Sequence, residues 1–142
     1  MEDIRFAAVS EVAAILAFWA SAAEDAHRPA DTEDAVLLLI TRDSSALVLA
    51  WSDDELVGSL IGGWDGWRFH LYRLAVAPHL RGQGIARRLL ATVEARFKLS
   101  GATRIDAMVL ADNDLAHSFW SAAGYSEQVE WRRWVKPIVE SP

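Results

Sequence analysis

The sequence predicts an α/β (α+β) domain built on a single mixed sheet. Its 142 residues are 52% hydrophobic and 24% charged, the size and composition of one ordinary globular domain over residues 1–142. Apolar spacing changes between strand and helix periods in the order β-α-α-β-β-β-α-β-α-β, with one more strand possible at the end. A strand-helix-strand step near Val76 to Leu110 indicates a parallel pair beside otherwise antiparallel strands.

A short strand and two helices are expected first. The strand covers residues 4–7, and Ser10 is the expected N-cap of the first helix. Asp31 or Thr32 is expected to cap a second helix that continues to about Ile40. In the first helix, apolar residues recur at helical spacing: Val12, Ile15, Leu16 and Trp19.

Three strands joined by turns should follow. Apolar runs bounded by turn signals predict strands over 46–51, 56–64 and 68–76. The dipeptide Asp65-Gly66 lies between the last two and is a strong hairpin signal. Asp65 is therefore interpreted as a turn residue rather than as a base.

The remaining elements are a loop, two helices and further strands. We expect a glycine-containing loop over 81–86, a strand over 104–110, a turn and cap at 112–114, and a short helix over 115–123. Residues 125–136 predict one bent strand or two short ones. The long helix after the loop has one apolar face, formed by Ile85, Leu89, Leu90, Val93 and Phe97.

Composition narrows the function classes. Acidic residues outnumber basic ones by 20 to 14, and the net charge of −6 favours a cationic partner such as an amine over nucleic acid. The chain has no cysteine, which excludes disulfides, a thiolate metal site and a cysteine nucleophile. The longest apolar stretch, residues 12–23, is too short to span a membrane. The start Met1-Glu2-Asp3 lacks the positive charge of a signal peptide, so a cytoplasmic protein is expected.

The loop before the long helix is the most informative segment. Gly82 and Gly84 permit a tight turn and a close approach of the backbone to a ligand. The helix that starts near Gly84 presents unpaired N–H groups and its positive dipole end, which suits a pyrophosphate. Arg81, Arg87 and Arg88 add positive charge there. The other interpretation is a glycine-rich turn without a ligand.

Two common nucleotide-binding loops fit this segment poorly. A Walker A loop ends in Gly-Lys-Ser/Thr, but here Ile85 and Ala86 follow Gly84. A dinucleotide fingerprint requires a small residue where Arg87 stands. A bare nucleotide site is therefore disfavoured.

Two ordered motifs resemble those of the GNAT family of N-acetyltransferases. Arg81-Gly-Gln-Gly-Ile-Ala86 matches the motif Arg/Gln-x-x-Gly-x-Gly/Ala, and Leu74-Ala-Val-Ala-Pro78 resembles the strand before it. The segment from Asn113 to Tyr125 is similar to a second family signature. The resemblance extends over nearly all 142 residues and, through residues 62–68, to small stand-alone bacterial members. It implies a mixed, mostly antiparallel sheet of six or seven strands with about four helices, in which the fourth and fifth strands splay apart.

The resemblance also implies acetyl-CoA as the acetyl donor and no metal. Asn113 would contact the pantetheine arm through its side chain, and Trp120 would lie beside the cofactor. Backbone groups of Leu74, Ala75 and Val76 would pair with the arm as a neighbouring strand does. The pyrophosphate would be held by N–H groups of Arg81, Gly82, Gln83, Gly84, Ile85 and Ala86.

In such enzymes the acetyl group passes directly to a primary amine, here of a small molecule or of a protein N-terminus or lysine. His70 stands where histone-type members carry a glutamate base, and imidazole titrates near ~6.5, which suits a base. Tyr72 shares a face with His70 in a regular strand and could relay a proton or order a water, unless a bulge changes the parity. An exposed histidine without a role is the alternative.

Two departures from the family pattern keep a second function open. Trp120 stands where many members have a tyrosine acid, and an indole N–H is a donor but not a usable acid. Met108 stands where ribosomal-protein acetyltransferases have a glutamate. A non-catalytic acyl-CoA-binding sensor or regulatory module is therefore the rival hypothesis. A homodimer is a further expectation, because dimers are common in the family.

Overall fold

A computed structural model describes residues 1–23 and 27–138 of the chain. The chain divides into two compact units, residues 1–110 and residues 111 onward. That a single domain covers residues 1–142 stays a prediction.

The first unit contains all the strands and three of the four α-helices in the described residues. The second contains α4 (Asp114–Ala122). In chain order the first unit has β1 (Asp3–Phe6), α1 (Val12–Ala22), α2 (Glu33–Arg42), β2 (Leu47–Ser52), β3 (Glu55–Trp64), β4 (Phe69–Val76), α3 (Ile85–Leu99) and β5 (Asp106–Ala107), with short 3-10 turns at Val9–Glu11 and Pro78–Leu80.

The strands form one mixed sheet in the order β1-β2-β3-β4-β5. The first three pairings are antiparallel and the pairing of β4 with β5 is parallel, which confirms the predicted fold class. The described residues hold five strands, however, not six or seven. The expectation of strands over 125–136 is wrong, and β5 has two residues rather than the seven expected over 104–110. Strand propensity alone does not form a strand when no neighbouring backbone pairs with it.

The helix α3 packs on one face of the sheet through the apolar stripe that the sequence predicts. All five predicted inward residues are buried. Two glycines of β3 allow this close packing: a Cβ on Gly62 would lie 2.5 Å from Val93 Cγ1, and one on Gly58 would lie 3.0 Å from Ile85 Cγ2. Ser59 lies between these two glycines along β3, and its side chain is on the opposite face of the sheet from α3, where it contacts α1.

Three helix starts test the predicted caps. Of the two residues expected at the start of α2, Thr32 is the cap, and Asn113 is the cap of α4 within the turn and cap predicted over 112–114. Each accepts a backbone N–H bond of 3.1 Å from the residue three positions later. The prediction for Ser10 is wrong. The carboxylate of Glu11 instead accepts the N–H of Ala8 at 2.8 Å, and Ser10 lies inside a 3-10 turn. An acid that reaches back three residues satisfies the N–H of the N-cap residue, whereas a serine cap would accept an N–H of the first helical turn.

Candidate active site

A bulge in β4 is the central irregularity of the sheet. Tyr72 pairs with Ile61 and Ala75 pairs with Ser59, so two β4 residues, 73 and 74, oppose one residue of β3. The first of them, Arg73, has φ +57°, a left-handed conformation that non-glycine residues adopt only when their surroundings hold it.

Two hydrogen bonds hold the bulge, one buried and one half-buried. Trp19 Nε1–H of α1 donates to Ser59 Oγ at 2.9 Å, and the Ser59 hydroxyl donates to the Arg73 carbonyl at 2.8 Å. In the part of the chain that the structure describes, Ser59 is the one polar residue in the core, with no exposed surface. These two bonds link the bulge in β4 to helix α1 through Ser59 of β3.

The Arg73 side chain has contacts of its own. Its guanidinium lies over the Trp19 ring, 5.1 Å from the ring centroid, and forms an ion pair with Asp31. Arg28 also donates to Asp31, at 3.2 Å. These contacts fasten the segment before α2 to the bulge, and they explain why Thr32 rather than Asp31 caps that helix.

The fourth and fifth strands pair over a short distance only. The register couples His70 with Asp106 and Leu71 with Ala107, and Met108 N–H donates to the Leu71 carbonyl at 3.3 Å. Among the described residues, no strand pairs with this edge of β4 beyond that point. Along residues 74–76 this edge of β4 therefore has no strand partner among the described residues, as the splayed strands of the sequence prediction require.

His70 and Asp106 meet where the two strands pair. His70 Nδ1 lies 2.5 Å from Asp106 Oδ1, and the side chains are 30% and 41% exposed. An ionised carboxylate only accepts, so Nδ1 carries the proton of a neutral ring and Nε2 has the lone pair. This arrangement orients an imidazole to act as a base.

Tyr72 lies on the same side of the strand as His70, and their ring centroids are 6.1 Å apart. The bulge begins only after Tyr72, so the strand is regular between the two residues and their side chains share a face, as the sequence predicts. Both side chains are half-buried.

The loop after β4 contains two glycines in the left-handed backbone conformation. Gly82 and Gly84 have φ of +80° and +85°, and a Cβ on either would meet nothing within 4 Å, so the backbone conformation alone requires glycine. Gly84 is the N-cap of α3 and supplies no side-chain acceptor to its first turn. Residues 81–84 are exposed and Ile85 anchors the helix in the core.

Arg88, one of the three arginines expected to bring positive charge to this loop, is bonded to Glu2. Arg88 donates to the Glu2 carboxylate at 3.1 Å and to the Glu2 carbonyl at 2.6 Å, which ties α3 to the start of β1. Arg81 and Arg87, the other two predicted cationic residues of this segment, are exposed.

The second unit contains the other two predicted cofactor residues. Asn113 Oδ1 is used in capping α4, which leaves its side-chain NH₂ group as a donor. Trp120 is buried and packs against Phe119 and Tyr125 with centroids 5.3 and 4.9 Å away. Their contact with a cofactor stays a prediction.

Asp65 is a turn residue, as the sequence predicts. Its carboxylate accepts the N–H groups of Arg68 at 2.9 Å and Trp67 at 2.8 Å. These two bonds lower the pKa of the Asp65 carboxyl, because they favour its charged form.

The described residues offer neither a metal-ion cluster nor a membrane-spanning helix. They contain no group of three or more His, Asp or Glu side chains placed to hold a metal ion. None of the described helices combines the length and apolar character that a membrane span requires.

Sequence reasoning missed Asp106, Ser59 and Trp19 as site residues. Asp106 faces His70 across 36 positions of chain, and Ser59 contacts Trp19 across 40. A parallel pair was predicted, but its register was not. The isolated serine in the apolar run of β3 was the one local signal that a buried polar group needs a partner.

Comparisons with known proteins identify the family that this sequence matches. Residues 12–125 match the sequence model of the acetyltransferase (GNAT) family. An acetyltransferase of Pectobacterium atrosepticum is 32% identical over 139 residues, which cover 97% of this chain and 96% of that protein.

Solved structures share the fold at low identity. Ard1 of Thermoplasma volcanium aligns with a TM-score of 0.78 and 16% identity over 90% of this chain and 84% of its own. The PaiA N-acetyltransferase of Thermoplasma acidophilum, solved in complex with coenzyme A, aligns with a TM-score of 0.76 and 17% identity over 90% and 91% of the two chains.

Proposed function

The chain belongs to the GNAT family of acetyltransferases, and on that basis we propose that it moves the acetyl group of acetyl-CoA directly to a primary amine with His70 as the general base. N-acetyl transfer is the activity of the family. The observation that carries the catalytic proposal is the bond between His70 and Asp106 at the point where β4 and β5 part.

The donor is assigned to the open edge of β4 and the loop that follows it. Amide groups of the pantetheine arm would pair with Leu74, Ala75 and Val76, whose strand edge has no partner among the described residues. The pyrophosphate would accept N–H groups of residues 81–86, where two left-handed glycines and an uncapped helix start favour an anion. Asn113 and Trp120 are retained as cofactor contacts on the strength of the motif alone.

His70 would take the proton of the attacking amine. Its Nε2 has the lone pair when Nδ1–H is bonded to Asp106, and the carboxylate stabilises the imidazolium that forms. Tyr72, beside it on the same face, is proposed to order a water or relay the proton.

The N–H of Leu74 is the proposed donor to the thioester oxygen. The Arg73 carbonyl of the same peptide is bonded to Ser59, and a trans peptide holds its N–H on the opposite side. A fixed N–H at this position would stabilise the oxyanion of the tetrahedral intermediate.

The transfer then balances without an acyl-enzyme. The amine nitrogen bonds to the carbonyl carbon, its proton passes to His70, and the carbon–sulfur bond breaks to release CoA thiolate. Solvent protonates the thiolate, since Trp120 offers no usable acid. The acceptor is a primary amine of a small molecule or of a protein, and the net charge of −6 favours a small cationic amine.

An amine panel with detection of released thiol tests this function. It should contain small polyamines, amino sugars, lysine peptides and peptides with free N-termini. With the best acceptor at pH 7.5, His70→Gln should lower turnover by about 10²- to 10⁴-fold. His79→Gln is the matched control, because that histidine is exposed and contacts Glu55 only at 3.6 Å. Binding of acetyl-CoA without transfer to any amine would favour the sensor hypothesis instead.

A further inference from the structure

We propose that Ser59 and Trp19 are positioning residues for acetyl transfer, because their buried hydrogen bonds fix the peptide between Arg73 and Leu74 and so aim the Leu74 N–H. The inference rests on the proposed function, and it adds two residues that lie on β3 and α1, away from the motifs of the family. Neither residue would touch the substrate; both act through the Leu74 peptide.

The direction of the hydrogen-bond chain is fully determined. An indole N–H can only donate, so Ser59 Oγ must accept from Trp19. The hydroxyl has one proton of its own, and the Arg73 carbonyl is the acceptor 2.8 Å away. Because the three groups are bonded in sequence, the carbonyl has one preferred orientation.

Burial makes these hydrogen bonds costly to break. Ser59 has no exposed surface and Trp19 is 3% exposed, so water does not replace a lost partner. A Ser59 hydroxyl that turned away would leave the carbonyl without this donor in the core. The bulge is thereby held in one geometry rather than several.

Trp19 supports Arg73 in two ways, one through Ser59 and one by direct contact. Its N–H reaches the Arg73 carbonyl through Ser59, and its ring lies under the Arg73 guanidinium, which also pairs with Asp31. These contacts together stabilise the left-handed φ of +57° at Arg73.

The consequence for catalysis follows from peptide geometry. The described chain contains no cis peptide, so the Leu74 N–H lies opposite the carbonyl that Ser59 holds. It points away from Ser59, and we assign it to the edge of β4 where the thioester carbonyl would lie. If the hydroxyl is removed, the peptide plane can rotate and the N–H no longer keeps this direction.

Isotope-edited infrared spectroscopy tests this without an acceptor. Acetyl-CoA labelled with ¹³C at the carbonyl is bound to the wild type, Ser59→Ala and Trp19→Phe. A weaker bond from Leu74 should raise the carbonyl stretching frequency in both variants. Ile15→Val is the control, because it alters a fully buried residue one turn earlier in α1 and keeps every hydrogen bond.

Kinetics supply the second readout. In both variants kcat should fall by about 10- to 100-fold, as expected for a weakened oxyanion donor. The dissociation constant of desulfo-CoA, which lacks the thioester, should stay within about twofold of the wild type. Trp19→Phe keeps an aromatic ring against Arg73 and stands in if Ser59→Ala does not fold.

The outcomes separate the two proposals. Failure of the wild type to bind acetyl-CoA would overturn the proposed function and this inference together. Normal binding and transfer, with an unchanged carbonyl frequency and kcat in both variants, would leave the function standing and overturn the positioning role.

Discussion

The imidazole Nδ1 of His70 lies 2.5 Å from the carboxylate Oδ1 of Asp106, on the neighbouring parallel strand. The two residues are also register partners, so the backbone pairing that joins β4 to β5 sets the orientation of the proposed base. Beyond this pair the strands separate and the edge of β4 opens. The orienting contact therefore lies beside the opening in which the donor is proposed to bind.

Substitution of Asp106 should change the proton position on His70. In Asp106→Asn the side-chain amide can donate to Nδ1, which moves the ring proton to Nε2 and removes the lone pair that accepts from the amine. We expect kcat/KM at pH 7 to fall by about 10²-fold. Nitrogen-15 NMR of the ring reports the tautomer directly and needs no acceptor.

Asp53→Asn is the matched control for that experiment. Asp53 is exposed in the turn between β2 and β3 and has φ +52°, which asparagine tolerates well. Its rate and the His70 tautomer should be unchanged. A wild-type tautomer and rate in Asp106→Asn would refute the orienting role.

Removal of the Ser59 hydroxyl should destabilise the fold. Ser59→Ala leaves the Trp19 N–H and the Arg73 carbonyl without their partner in the core, at a cost of about 1–3 kcal/mol in the free energy of unfolding. Urea denaturation measures this cost. Ser118→Ala, an exposed serine of α4, should change it by less than about 0.5 kcal/mol, and equal effects of the two substitutions would argue against the buried hydrogen-bond chain.

Adjacent glycines of β3 should respond differently to alanine. A Cβ at Gly62 would lie 2.5 Å from Val93 Cγ1 and 2.9 Å from Phe97 Cζ, so Gly62→Ala should lower the free energy of unfolding by about 1–3 kcal/mol. At Gly63 the nearest atom is Tyr72 Cε2 at 3.5 Å, an ordinary contact. Gly63→Ala should be close to neutral. Urea denaturation of the two variants measures this, and a lower midpoint for Gly63→Ala than for Gly62→Ala would contradict the packing of α3.

Asp65 should contribute to stability only when it is charged. Bonds from the Arg68 and Trp67 N–H groups lower its pKa in the folded state. Its contribution is therefore present above the pKa of the unfolded chain, near ~3.9, and is lost as the pH falls through the lower folded value. The stability difference between the wild type and Asp65→Asn, measured from neutral to acid pH, should shrink in that window. A difference that is constant with pH would show that the charge is not involved.

Local chemistry made part of this molecule predictable. Thr32 and Asn113 cap helices because of their own side chains, and the stripe from Ile85 to Phe97 follows from helical spacing. The loop glycines were identified from a short motif, because the positive φ that requires glycine is a property of the loop itself.

The parts that sequence reasoning missed depend on distant residues. The register that brings Asp106 to His70 and the contact of Trp19 with Ser59 are set by packing across 36 and 40 positions of chain. The predicted strands over 125–136 failed for the same reason, since a strand exists only with a partner. Local propensity carries no information about strand register, about contacts between distant residues or about the presence of a pairing strand.

Thermal unfolding with acetyl-CoA tests the central claim most directly, with ATP and NAD as controls. At a hundred times the dissociation constant, a ligand of the folded state adds ~2.7 kcal/mol, a shift of several degrees for a domain of this size. Gly84→Ala and Gly66→Ala form a matched pair, because both glycines have φ near +90° and open space around them. The account predicts a shift with acetyl-CoA alone in the wild type and in Gly66→Ala, and a reduced one in Gly84→Ala. No shift at millimolar acetyl-CoA, or an equal shift in both variants, would contradict it.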